Sequence, residues 1–404
     1  MSKNAEFREA AGMSAGLTLL LAVTCGISVA NLYLAQPMIG LIGPSVGLAP
    51  GAYGLVVTLT QIGYAAGLLL LVPLGDFVEN RRLMVITLSL GALTLLLTSF
   101  ARTPHVFLLA CLVIGVTSVT TQMVVPMAAH LADPARRGRQ VGTVISGLLT
   151  GILLGRPVAS LIASVSGWRS VFLVATVAML IMAVVLRLRL PQRHPQTRKS
   201  YFGVLGSMVP LLKRIPVLRR RMAYQMGLFF AFSVFWTTIP LELTQHFGLH
   251  QRGIAIFSLA GAAGALSAPA AGRLADAGKT VAGTIGCMTM VAMGIALTVP
   301  ASTLRGGPGL ALFVAAAVLI DAGVQAHLAF AQKALFDLAP EQRSRINAIF
   351  IAGAFLAASV GSAAAPLIFS LYHWRLVALL GFVPPFLALS AFVRDLGPKP
   401  AAQG

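Results

Sequence analysis

The chain has 404 residues, of which 57% are apolar and 10% charged, and its 30 Lys and Arg outnumber 11 Asp and Glu for a net charge of +19. Soluble domains run at about 45–50% apolar and about 25% charged, so this composition suits lipid as solvent and argues against a water-soluble enzyme. The positive charge alone would suit a nucleic-acid binder, but its placement, given below, argues against one.

A membrane-spanning helix needs about 20 apolar residues. Such runs fall at 14–38, 51–74, 83–100, 105–129, 142–164 and 170–187, then at 222–245, 253–271, 281–300, 309–332, 346–370 and 375–393. They must be helical, because lipid satisfies no backbone group, and Leu68-Leu-Leu-Leu-Val72 lacks the alternation of a barrel strand. The expected fold class is all-α membrane, with twelve transmembrane helices. With the N-terminus inside, 24 of the 30 Lys and Arg fall on cytoplasmic segments. Arg102, Arg169, Arg252, Arg305 and Arg375 fall on outer loops, and Arg156 within a span. That is the positive-inside pattern, and it places both termini in the cytoplasm.

The chain also repeats. Shifted by 206 residues, Pro134–Arg169 lies on Pro340–Arg375 with 12 identities in 36 columns. Shifted by 200, Val72–Asp76 lies on Gly272–Asp276. The reading is two pseudo-symmetric six-helix bundles, residues 1–190 and 222–404, joined by a basic cytoplasmic linker, 191–221. From Arg187 to Arg221 there are ten Lys and Arg and no acid; the segment is expected to fix orientation and touch anionic lipid heads, with a binding platform for a cytoplasmic partner as the alternative. A short interfacial helix is expected around Tyr201–Leu218.

The polar residues of each span follow in chain order. The first span ends in Asn31-Leu-Tyr-Leu-Ala-Gln-Pro37, which offers Asn31, Tyr33 and Gln36 to a central cavity. Gln61 lies on the second span and Gln122 on the fourth. The fifth carries Gly147, Gly151 and Gly155 four apart on one face, then Arg156 and Pro157. A face without side chains lets another helix approach closely. A cation at the depth of Arg156 costs several kcal/mol unless paired or hydrated, so it is expected at a cavity or interface, holding an anionic substrate or an acidic partner.

The seventh span carries Trp236, with Glu242 near its outer end and expected at the water interface. The tenth carries Asp321 and, one turn on, Gln325 on the same face, with His327 off that face. A carboxyl at membrane depth suits cyclic protonation. Asp321 is therefore the first candidate for proton coupling and Glu242 the second. Cys25, Cys111 and Cys287 lie inside spans without metal or disulfide spacing. No cofactor motif and no metal site is found.

Two loops share a pattern: Val72-Pro-Leu-Gly-Asp-Phe-Val-Glu-Asn-Arg-Arg82 and Gly272-Arg-Leu-Ala-Asp-Ala-Gly-Lys279. They resemble the signature loop of the major facilitator superfamily, Gly-x-Leu-Ala-Asp-Arg-x-Gly-Arg-Arg/Lys. Asp76, Arg81 and Arg82 take its positions in the first copy; Arg273, Asp276 and Lys279 stand in the second. Glu79-Asn80 replaces the Gly-Arg pair, and the second copy is shortened after Asp276. The fifth-span glycines resemble the antiporter motif of the same superfamily, with Arg156 where that motif has Pro. Asn31–Pro37 is loosely similar to the first span of sugar-efflux-like permeases.

The resemblance implies the major facilitator fold, with the first, fourth, seventh and tenth spans lining the cavity and the two loops latching the outward-facing state. It implies a monomeric, multi-pass secondary transporter of the bacterial inner membrane, exporting a small lipophilic drug or metabolite by proton antiport. Its partners are a small-molecule substrate, protons and membrane lipids. Proton symport or facilitated uptake of a sugar or organic acid is the alternative on the same fold. A non-transporting receptor or scaffold is the alternative of another class.

Overall fold

A computed structural model describes residues 13–195, 200–265, 267–338 and 342–396. Among these, all regular structure is helical. The first half comprises α1 Ala15–Ala30, α2 Ile39–Val46, α3 Gly54–Leu74, α4 Asn80–Ser99, α5 Pro104–Thr117, α6 Thr120–Leu131, α7 Arg137–Ser166 and α8 Trp168–Arg189. A linker helix, α9 Tyr201–Arg214, precedes the second half: α10 Pro216–Gln245, α11 Gln251–Ala265, α12 Ser267–Asp276, α13 Thr280–Ala301, α14 Gly306–Leu338 and α15 Arg343–Leu396. Among the described residues ten stretches are long and apolar enough to cross a membrane, and α1 is a shorter apolar helix. Leu97, Val165 and Ile256 lie more than half exposed, which lipid tolerates because its tails are as apolar as leucine.

The first expected span, 14–38, is not continuous. Helix α1 stops at Ala30, residues 31–35 turn, and a short 3₁₀ turn, Gln36–Met38, leads into α2. Pro37 lacks the N–H that the Tyr33 carbonyl would need in an unbroken helix. The break places Asn31, Tyr33 and Gln36 in the protein interior, all buried.

The repeat is visible in the packing. Helix α1 lies along α7, α3 along α5 and α4 along α8; α10 lies along α15, α11 along α14 and α13 along α14 and α15. A Cβ on Gly147 would fall 2.2 Å from the Ala22 carbonyl oxygen, and one on Gly155 3.3 Å from Ala30. In the second half Gly353 meets Met222 and Gly361 meets Phe230. These partners are offset by 206 residues on one helix and 200 on the other, matching the two sequence offsets. Gly151 is tightest, with a Cβ falling 2.1 Å from the Gly26 carbonyl oxygen.

Helix α15 breaks at His373, whose φ of 58° and ψ of −166° lie where only glycine is comfortable. The repeat-equivalent residue is Gly167, with φ 81° and ψ 164°. Replacing His373 with Gly is expected to stabilise the fold by about 1 kcal/mol, since relief of about 1–3 kcal/mol of strain exceeds the added chain entropy. A higher melting temperature in detergent checks this.

The two halves touch mainly at one end. There a Cβ on Gly54 would fall 2.0 Å from the Ser362 carbonyl oxygen. Gln251 donates to the Pro37 carbonyl (3.0 Å) and to Ser160 Oγ (2.6 Å). At the opposite, linker end the bridge is α9: Tyr201 donates to the Leu70 carbonyl (2.8 Å), and Arg345 to Ser207 (2.7 Å).

A candidate transport site between the two bundles

The interior holds a charged cluster that joins the halves. Arg156 on α7 is 3% exposed, and its Nε donates to Gln36 Oε1 at 2.7 Å. Gln36 in turn donates to Thr237 on α10 at 3.3 Å. The Arg156 guanidinium lies over three rings, Trp236 at 4.3 Å, Tyr33 at 4.6 Å and Phe232 at 5.2 Å from their centroids. Each desolvated contact of this kind contributes about 2 kcal/mol. Trp236 then donates from Nε1 to Asp321 Oδ2 at 2.7 Å. Asp321 is 1% exposed. A single indole thus bonds the buried carboxyl of one half and stacks on the buried cation of the other. The two charges form no direct ion pair; the ion pairs among the described residues are Arg220–Asp395 and Lys333–Asp276.

Room for this arrangement comes from α11. A Cβ on Gly261 would fall 2.5 Å from the Trp236 ring and 3.3 Å from Asp321 Oδ1, and one on Gly264 2.7 Å from the Asp321 Cβ. Phe232, Gly261 and Gly264 escape the sequence reading. Phe232 lies one helical turn from Trp236, and the two glycines share a face three apart, so the spacing was there to be read.

The other expected site residues are placed as follows. Gln325 is buried one turn beyond Asp321. Asn31 is buried at the end of α1, outside the cluster's hydrogen bonds. Gln122 donates to the Tyr64 hydroxyl within the first half (3.2 Å) rather than to the cluster. Gln61 forms a second polar bridge between halves: it donates to Ser233 (3.0 Å) and accepts from Ser362 (3.1 Å), which also bonds Thr58 (2.9 Å). Glu242 is not at the water interface expected for it. It is 5% exposed, at the end of α10 where the chain turns back and the Leu249 N–H donates to the Leu243 carbonyl (2.9 Å).

At the linker end, Glu79 caps α4 by accepting from the backbone of Arg81 and Arg82, both at 2.9 Å. That explains a carboxylate at a motif position that otherwise takes glycine. Arg81 donates to the Leu190 carbonyl, and Arg193 to Asn80. The Asp76 carboxylate makes no hydrogen bond among the described residues; burial pushes its pKa up, against the pull of Arg193 and Arg345. Asp276 pairs with Lys333 at 3.3 Å on the exposed surface, where such pairs contribute little. Arg273 and Lys279 are exposed.

A broken helix and buried polar groups where the two copies of a repeat meet are features shared with the substrate sites of secondary transporters. The Major Facilitator Superfamily model matches residues 21–307, and the chain belongs to that superfamily. It is 36% identical to the Uncharacterized transporter YgaY of Escherichia coli O157:H7, over 96% of this chain and 98% of the relative. It is 35% identical to the Probable transporter SCO4007 of Streptomyces coelicolor, over 90% and 84% respectively. The fold superposes on the crystal structure of the nucleoside transporter NupG with a TM-score of 0.71 at 14% identity, covering 95% and 99% of the chains. The chain is therefore a multi-pass transporter of the bacterial inner membrane, and not an enzyme.

Proposed function

We propose that the protein is a proton-coupled secondary transporter working by alternating access, with Asp321 as the proton site and Arg156 as the fixed charge facing it. The carrying observation is the Arg156–Trp236–Asp321 bridge, because protonation in one half changes the charge felt by the other. The unit is twelve spans, bundles 1–190 and 222–404 about the linker 191–221, with both termini cytoplasmic. The linker end is then the cytoplasmic end. The sealed opposite end and the unlatched Asp76 support the reading that this conformation is inward-facing.

What competes with the proton decides the direction of coupling. A solute that binds the ionised Asp321 is displaced by protonation, which gives antiport and export of a small drug or metabolite. The close packing of Gly147, Gly151 and Gly155 on α1 supports this form. A solute that binds Arg156 instead loads with the proton, which gives symport. The Arg156 Nη2 without a hydrogen-bond partner favours this second form.

Asp321→Asn is the test of proton coupling. In liposomes with a trapped pH dye, the variant is expected to lose substrate-driven proton movement by at least about a hundredfold while keeping substrate exchange. Undiminished proton movement in the variant would remove Asp321 from the mechanism.

A further inference from the structure

Arg156 makes one hydrogen bond, from Nε to Gln36, and its buried Nη2 has no partner. A buried guanidinium is normally paired and bonded on every edge. The rings of Tyr33, Phe232 and Trp236 lie within 5.2 Å of its Cζ. Rings engage the cation through its charge and do not satisfy its N–H edge, the direction from which a guanidinium receives a carboxylate. Gln36 takes the Nε position, and the Nη side is what remains.

The charges around this edge are few. The titratable groups coupled to Asp321 are Arg156 and Tyr33. Helix α10 presents the Trp236 donor, and α11 presents Gly261 and Gly264. With Asp321 ionised, Arg156 and Asp321 sum to zero, and an added anion would leave a buried net charge of −1. With Asp321 protonated, the site stands at +1, and an anion returns it to zero. Uncompensated buried charge costs several kcal/mol, so an anion and a proton favour each other's binding.

We infer that the site takes a small monovalent organic anion, its carboxylate on the Nη edge of Arg156 and its body against the three rings, and that it loads together with one proton on Asp321. This rests on Asp321 carrying the proton, and it selects symport over antiport. One carboxylate and one proton cross together, so no net charge moves.

The purified full-length protein in liposomes with a trapped pH dye tests this. Gluconate, an impermeant monocarboxylate, is added alongside other impermeant monocarboxylates, with choline as the cation and glucose as the neutral solute. At least one carboxylate is expected to acidify the interior, at a rate unchanged by a clamped membrane potential. It is also expected to raise the melting temperature of the wild type and of Asp321→Asn, and to bind Arg156→Gln at least about tenfold more weakly. Arg156→Lys keeps the charge without the fork and checks that a loss in Arg156→Gln is not unfolding.

Interior alkalinisation driven by choline or glucose would overturn the anion assignment and leave proton coupling at Asp321 standing. Carboxylate-driven acidification retained in Asp321→Asn would overturn the coupling and leave the anion site. No carboxylate discriminating wild type from Arg156→Gln in melting temperature would overturn the inference itself.

Discussion

Alanine at Gly54 is expected to open the end of the protein that this conformation seals. Its Cβ would fall 2.0 Å from the Ser362 carbonyl oxygen and 3.1 Å from Pro366, so α3 and α15 cannot both keep their places. Overpacking of this kind costs about 1–3 kcal/mol. When the strain is confined to one of two states, that shifts their ratio by about ten- to a hundredfold. The readout is a cysteine introduced at Ser160, which is 0% exposed and bonded to Gln251 across the same seal. Its labelling by a membrane-impermeant thiol reagent should rise at least about tenfold in the Gly54→Ala background. The native Cys25, Cys111 and Cys287 are buried and add little background. Equal labelling in both backgrounds would mean that the contact does not gate this end.

Trp236→Phe carries the second large expected effect. Phenylalanine keeps a ring beneath Arg156 but cannot donate to Asp321, whose bond to the indole is 2.7 Å. A hydrogen bond to a charged group contributes about 1.5–3 kcal/mol. The ionised state is lost by about ten- to a hundredfold, and substrate-driven proton flux should fall by a similar factor. Substrate exchange, which needs no proton release, should persist. Parallel loss of flux and exchange would point to a packing role for the indole instead.

The charged members of the site were legible in the sequence because charge at membrane depth is rare and demands a reason. Arg156 and Asp321 announce themselves in this way, and Gln36 and Tyr33 follow from the polar end of the first apolar run. Phe232 and Gly261 were not legible on composition, because the chain has 21 phenylalanines and 40 glycines; their spacing from Trp236 and Gly264 marks a helix face, and only three-dimensional neighbours tie that face to the site. The break after Ala30 was hidden because apolarity continues through it, while the backbone responds to Pro37. Gln122 shows a partner that the sequence does not reveal. It lies on a span expected to line the cavity, but its amide turns to Tyr64, a choice made by local packing that periodicity does not encode. Glu242 was assigned to water from its distance along the helix, and what lies over that end is not readable from the helix alone.

The matched packing of α1 on α7 and α10 on α15 has a consequence for the resting balance of the protein. If the halves were identical, facing one side or the other of the membrane would be degenerate, and neither direction would be favoured without a gradient. The matched helix packing comes close to that degeneracy, and the break after Ala30, which α10 does not share, and a few matched side chains lift it. By the two offsets, Arg156 corresponds to Ser362, Gln36 to Trp236, Tyr33 to Ser233 and Gly167 to His373. The permanent cation descends through one copy, while Asp321 belongs to the other. The two copies therefore differ in ownership of charge, so a change of charge at Asp321 would act on one facing of the protein more than on the other.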